Sequence, residues 1–289
     1  MSTIPVAPGL PGFARRRARR IAKSDKVAVT CLVVIGIALL AAIFGPLLAP
    51  HDPNASNLND AYVGPMGGHL LGFDGQGRDL FSRLLVGART SILGPAVVVL
   101  LSLLAGVVLA IVGAWRGGWL DSGISIAMDI LFAFPGILLA VLGAAVFGPS
   151  LTAAAVSLAV AYTPYVARVL RSAAVRERAR EYIAACEVQG LSAWAICARH
   201  LVPNVAPMIV SQGTLLFGWA MVDLAAVSFI GLGVQAPQAD WGVMVATGQP
   251  GVLQGYPAES LSAGLCIVAV VVAVNLLGER LAERDEERR

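Results

Sequence analysis

The chain has 289 residues, 57% of them hydrophobic and only 13% charged, with a formal net charge of +3 and a mean hydropathy of +0.76. A soluble domain carries roughly 25% charged residues, so this composition excludes a water-soluble globule, a disordered chain and a collagen-like fibre. So small a net charge also points away from nucleic acid. The four cysteines, Cys31, Cys186, Cys197 and Cys266, form no CxxC pair and have no histidine at ligand spacing, so neither a disulfide framework nor a metal site is expected.

A helix needs about 20 apolar residues to cross a ~30 Å hydrocarbon layer. Six stretches qualify: 27–49, 91–115, 124–147, 151–170, 205–230 and 261–281. The predicted fold class is therefore an all-α integral membrane protein with six transmembrane helices. A basic arm, residues 1–26, precedes the first span, which is too long for a cleaved signal peptide. Pro46, Pro95, Pro135, Pro164 and Pro207 lie within or at the ends of the apolar stretches. In lipid such breaks are sustained by neighbouring helices or water, and at any one proline a packing kink is the simplest reading.

The loop of residues 50–88 opens with His51-Asp52-Pro53-Asn54, and Asp74-Gly75 with Gly77 signals a tight turn further on. After Asp79, residues Leu80, Phe81, Leu84 and Leu85 recur at helical spacing. The expectation is a short amphipathic helix lying on the membrane face, with Arg78 and Arg83 reaching lipid headgroups and Gly87 turning the chain into the second span.

The long connection of residues 171–204 reads as two short helices meeting at Gly190. Arg176-Glu177-Arg178-Ala179-Arg180-Glu181 is strongly helix-forming, Tyr182 to Gln189 continues it with small residues, and Trp194, Cys197, Ala198 and Leu201 stripe the second piece before Pro203-Asn204 opens the fifth span. Small residues at such a corner allow another protein to approach closely. A self-contained connecting loop is the equally open alternative.

Lysine and arginine positions set the orientation. If six spans alternate, 18 of the 21 basic residues fall on one side, leaving only Arg78, Arg83 and Arg89 on the other. Both termini, the 171–204 connection and the charged tail of residues 282–289 are thus expected in the cytoplasm, with a five-helix core over 89–281. Trp115, Trp119, Trp194, Trp219 and Trp241 fall near the predicted boundaries, as an aromatic belt would.

Several blocks together resemble a known family. Ala184-Ala185-Cys186, Gly190 and Pro203 are spaced like the EAA signature of ABC importer permeases, although the signature's Glu is Ala184 here, with Glu181, Glu177 or Glu187 as acids for the same surface, and its third residue is Cys186. Leu71-Gly72-Phe73-Asp74, Gly77-Arg78-Asp79, Ser82-Arg83 and Gly87-Ala88-Arg89 resemble the C-type permease of the dipeptide, oligopeptide and nickel importers. So do Gly117 to Asp121 with Asp129 and Ala133-Phe134-Pro135, then Arg168 and Arg171, then Ser228 to Gln235 with Trp241-Gly242. The family often has an Arg at Ile126 and a Glu at Leu224; here Asp223 stands one residue earlier.

The resemblance implies a type I ABC importer permease fold in the cytoplasmic (inner) membrane. It implies a heterodimer with a second, B-type permease, two separate ABC ATPases and an extracytoplasmic substrate-binding protein. It also implies an ATPase-coupling loop containing Glu181, Tyr182, Ala184, Ala185, Gly190, His200 and Pro203, and an outer motif of Gly77, Arg78, Asp79 and Arg83. The chain itself has no P-loop, because its only lysines are Lys23 and Lys26 in the basic arm. No catalytic role and no bound cofactor are expected of it; ATP and Mg would be used by the partner ATPases. Small or polar positions in the spans, Asp129, Ser211, Gln212 and Ser228, with Ser157 and Thr163, are the candidates for a translocation path. The alternative is an ion- or proton-coupled secondary transporter using Asp129 and Asp223, since carboxylates inside spans are costly and usually functional. An intramembrane serine protease would need a buried Ser–His pair, and His51, His69 and His200 all fall in expected loops.

Overall fold

The computed structural model describes the backbone of residues 11–286 and the side chains of residues 26–280. Arg15, Arg16, Arg17, Arg19, Arg20 and Lys23 of the basic arm, and Arg284, Arg288 and Arg289 of the tail, lie outside the described side chains. The helices are α1 (Pro11–Leu48), α2 (Leu80–Arg116), α3 (Gly118–Phe132), α4 (Gly136–Phe147), α5 (Leu151–Arg178), α6 (Glu181–Val188), α7 (Ala193–Ile196), α8 (Val202–Phe229), α9 (Trp241–Thr247), α10 (Gln249–Leu253) and α11 (Ala258–Glu286). A π-helical turn, Cys197–Leu201, joins α7 to α8. β-type pairing among the described residues is limited to isolated bridges at Met66–His69 and Phe73–Asp79.

Five helical stretches are long and apolar enough to cross a membrane, in α1, α2, α5, α7–α8 and α11. The sixth expected span is broken. Helices α3 and α4 meet at 82°, so 124–147 is one span only if the bent pair is counted together. Pro135 explains the break, because it disfavours helical geometry at Phe134 before it and then starts α4 with extended backbone. An apolar run reads the same whether straight or folded back.

The second correction concerns the start of α2. Residues 80–89 form the first turns of one 37-residue helix that continues to Arg116, not a separate helix lying on the membrane. Leu80 is fully buried in a core shared with Ala38 and Ala42 of α1 and Ala263 and Val270 of α11. Arg78 and Arg83 do not reach headgroups: they are 4% and 1% exposed. Gly87 makes no turn. Its bare Cα admits the 239–241 loop, for a Cβ there would sit 3.2 Å from the Asp240 amide. The apolar stripe is identical for a flat helix and an upright one, so spacing alone could not separate them.

Helices α2 and α5 form the central pair. At Gly106 they approach so closely that an added Cβ would lie 2.4 Å from Val166. At one end ions tie α5 to α3: Arg171 grips Asp121 through Nε and Nη2, and Arg168 meets Asp129 at 2.6 Å. Helix α8 packs against α2, α5 and α11, while α1 lies outermost on α2 and α11 with Ile37 and Ile43 exposed.

Candidate functional site

At one end of the bundle, the 50–79 loop is tied down by charge. Asp74, fully buried, accepts the Gln76 and Arg78 amides on Oδ1 and the Arg78 Nε on Oδ2 at 2.6 Å, with Arg83 Nε 3.6 Å away. Arg83 donates across the loop to the carbonyls of Pro53 and Pro237. A buried carboxylate facing two buried arginines satisfies the rule that buried charges are paired. Gly77 closes the turn at φ +68°, and a Cβ on it would lie 1.8 Å from the Asn57 carbonyl oxygen. The tight turn expected from the sequence is present, with the Gly77 amide bonded to the Asp74 carbonyl at 3.0 Å.

Asp79 caps α2 by accepting the Ser82 amide at 2.8 Å. His69 Nδ1 lies 2.8 Å from its Oδ1, and His51 stacks on His69 with centroids 4.1 Å apart. These are the donor atoms that converge as a three-residue group among the described residues, within 4.8 Å of one another. Cysteine spacing gave no hint of it, because the three come from separate segments. Burial pushes the Asp79 carboxyl up, but the hydrogen bonds from Ser82 and His69 outweigh it and leave it below its ordinary value. Asp240 behaves oppositely. Although it accepts from Ser91, Gly242 and Val243, burial dominates and raises its carboxyl. Trp241, expected in an aromatic belt, is 4% exposed and donates Nε1 to the Leu84 carbonyl.

At the opposite end lies the corner. Helix α6 ends as a Schellman motif: the Gly190 amide bonds Glu187 and the Leu191 amide bonds Cys186, with Gly190 at φ +79°. Ser192 then caps α7. Two short helices do meet at Gly190, but the Arg176–Glu181 run does not continue unbroken into the first: it is split at Ala179–Arg180 between the end of α5 and the start of α6. Glu181, Ala184, Ala185, Glu187 and Gly190 are exposed, and Val188 and Trp194 are 90% and 81% exposed.

Glu177 points the other way. It accepts from the Tyr182 hydroxyl at 2.7 Å and from Asn204 Nδ2 at 3.1 Å, while Asn204 also donates to the Tyr182 oxygen at 2.7 Å. This triangle ties the end of α5, the start of α6 and the start of α8 together. Burial, then the bond to Glu177, raises the Tyr182 phenol above its usual range. His200 faces Tyr182 with ring centroids 6.3 Å apart, and Pro203 follows directly on the π-helical turn that leads into α8. Glu177 therefore does not offer its carboxylate to the exposed surface in place of the signature's Glu, as the sequence allowed, and Asn204 was not singled out, because a contact between residues 27 apart carries no local signal.

The remaining candidates separate. Asp129 and Arg168 form an ion pair in which both side chains are more than half exposed. Ser228 is buried, and its hydroxyl accepts the Val234 amide, holding the loop after α8. Thr163 bonds back to the Ala159 carbonyl. Ser211 and Gln212 are half-buried on α8, and the Gln212 Oε1 has no hydrogen-bond partner. Asp223 accepts the Tyr162 hydroxyl at 2.6 Å beside a cavity of about 290 Å³ that Trp219 also lines.

Residues 102–288 match the family described as binding-protein-dependent transport system inner membrane component, and residues 14–65 match the N-terminal TM domain of oligopeptide transport permease C. The chain is 36% identical to the dipeptide transport system permease protein DppC of Alkalihalophilus pseudofirmus, over 93% of this chain and 88% of that one. It is 37% identical to the probable D,D-dipeptide transport system permease protein DdpC of Escherichia coli, covering 90% and 87%. It is 32% identical to the glutathione transport system permease protein GsiD of Pectobacterium atrosepticum, covering 89% and 85%. Among solved structures, a chain of the MetNI methionine ABC transporter in an inward-facing conformation superposes with a TM-score of 0.56 at 20% identity, covering 70% of this chain and 95% of that one. That likeness establishes the permease fold. With its apolar helices, paired loop end and matching family models, the chain belongs to the binding-protein-dependent transport system inner membrane components: it is a multi-pass ABC importer permease of the inner membrane.

Proposed function

We propose that this permease carries di- and oligopeptides into the cell by alternating access, as one half of a heterodimer with a second, B-type permease. Two partner ATPases supply ATP and Mg chemistry, and an extracytoplasmic binding protein delivers the cargo. The peptide-transporting relatives, matched over nearly the whole chain, support the cargo class. The observation that carries the mechanism is the Glu177–Tyr182–Asn204 triangle behind the exposed corner at Gly190. A surface pushed by an ATPase must be stiffly joined to the spans it moves, and this triangle joins α6 to both α5 and α8.

In this reading both termini and the corner face the cytoplasm, which the distribution of arginines supports. ATPase closure displaces α6, the displacement passes to α5 and α8, and the two permeases rock about a shared path. Ala184 and Ala185 provide the close-fitting surface, and Glu181 and Glu187 the acidic groups that the signature's missing Glu would otherwise offer. The outer motif of Gly77, Arg78, Asp79 and Arg83 keeps the facing loop rigid for the binding protein. The ion-coupled alternative has no support among the relatives, which are peptide-transport permeases, and its Asp129 is paired with Arg168. The test is uptake of a labelled dipeptide into proteoliposomes holding the full complex: transport should require ATP and the binding protein, and equal transport with ATPase-dead partners would overturn the reading.

A further inference from the structure

Helix α8 has one face that its neighbours leave open. Leu216 and Ala220 are buried against α2 and α5, and Gly218 sits so close to Asn275 of α11 that a Cβ would lie 2.6 Å from the amide oxygen. Trp219 and Asp223, four residues apart, lie toward the remaining side. They look out through the groove between α5 and α11. The cavity there, about 290 Å³, is lined by Tyr162, Gly218, Trp219, Val222, Asp223 and Val271.

This face cannot be turned to lipid. A carboxyl group in a spanning segment faces water, a partner or the bundle interior, and Asp223 stands beside the open cavity, six residues before α8 ends at Phe229. Tyr162 satisfies only Oδ2; among the described residues no hydrogen bond is made to Oδ1, and no Lys, Arg or His pairs with the carboxylate. One carboxylate oxygen left without a protein donor at the edge of a cavity is placed to receive a donor that is not part of the chain.

The arrangement selects the donor. Asp223 offers one free oxygen to a cation, Tyr162 fixes the carboxylate's orientation, and the half-exposed Trp219 ring presents a face beside it. A cavity at the small end of the ligand-pocket range, which runs from roughly 300 to 1,000 Å³, holds one end of a peptide and not the whole of it. No arginine or lysine lines it to take a carboxylate. Resting on the peptide-import reading above, we infer that this face of α8 lines the translocation path and that Asp223 is the subsite for the α-ammonium group of a peptide with a free amino terminus.

The test uses the complete reconstituted complex and two probes, labelled alanyl-alanine and its N-acetyl derivative. In Asp223→Asn, ATP-driven uptake of the free-amine dipeptide should fall at least tenfold relative to wild type, while uptake of the acetylated one changes less than twofold. Taking the variant-to-wild-type ratio removes the binding protein's own preference. ATP hydrolysis stimulated by the binding protein should be retained, and Asp223→Glu should recover part of the free-amine uptake. Equal losses for both probes, or undiminished free-amine uptake by Asp223→Asn, would overturn the subsite while leaving peptide import standing. Wild-type complex that imports no dipeptide would overturn both.

Discussion

Arg178 closes the end of a helix that is not its own. From the last turn of α5 it donates to the carbonyls of Ala114, at 2.7 Å, and Trp115 at the end of α2, and its guanidinium lies 4.9 Å over the Trp115 ring. The last carbonyls of a helix have no intrahelical donor, and a cation there also complements the helix dipole. Sequence position gives Arg178 a place in a basic run. The structure gives it a partner more than sixty residues away.

Removing that cap should loosen the α2–α5 pair. Arg178→Ala is expected to lower stability by about 2 kcal/mol, from the lost charged hydrogen bonds and ring contact. Arg178→Lys, which keeps the charge but not the fork, should recover only part of it. Thermal unfolding of the detergent-solubilised protein reads both.

Tyr182→Phe removes one vertex of the corner triangle and leaves Glu177 and Asn204 to each other. The stability loss should be modest, about 1 kcal/mol. The larger effect should be on coupling: transport by the assembled complex falls severalfold while its ATP hydrolysis continues. Proportional loss of both activities would mean that the triangle is only structural.

Gly77→Ala should be among the most damaging single changes in the loop, because it combines positive φ with a Cβ placed 1.8 Å from the Asn57 oxygen. A cost of about 1–3 kcal/mol is expected from backbone strain alone, with repacking added. Low yield and a lowered melting temperature would register it, and Gly75→Ala, where φ is not positive and the obstacle is the Tyr62 ring, should be milder.

The two loop carboxylates should give opposite pH signatures. Asp79 has a lowered folded pKa, so its stabilisation is present above the unfolded value near 3.9 and is lost as pH falls through the folded value. Asp240 has a raised one, so its contribution is fullest below that unfolded value and is lost as pH rises through the folded value. The stability gap between wild type and Asp79→Asn should therefore shrink on acidification, and that between wild type and Asp240→Asn should move in wild type's favour. Melting temperature against pH for the three proteins checks both signs.

Cysteine chemistry can report the orientation. Cys186 is half-buried at the corner, whereas Cys197, 8% exposed, is shielded beneath it. A maleimide unable to cross the bilayer should spare Cys186 in intact cells, label it in inverted vesicles, and leave Cys197 unlabelled in both. Labelling of Cys186 in intact cells would invert the topology.

Composition and apolar run lengths were enough to identify a membrane protein and to locate its long helices, because lipid imposes length and hydrophobicity directly. The corner was legible too, since Gly190 is the residue a Schellman motif demands. What stayed hidden depended on which way a side chain turns. Leu80 to Leu85 carry the same stripe on a flat helix and an upright one, and only the packing against Ala38 and Val270 decides. Arg78 and Arg83 looked like headgroup anchors because their partner, Asp74, acquires meaning only when the loop folds back. Trp241 read as a belt residue for the same reason. The Tyr162–Asp223 bond joins residues 61 apart, beyond any local signal.

The tight crossing at Gly106 limits what an ATPase can do to this protein. With Val166 filling the gap and Arg178 seated on Trp115, α2 and α5 are held against sliding past each other, and Arg171, clasping Asp121, ties α3 to the same unit. Any deformation during a cycle must be absorbed where the frame is jointed: at the elbow before Pro135 and along α8 around Pro207. A lever of this kind loses little of its stroke between fulcrum and load.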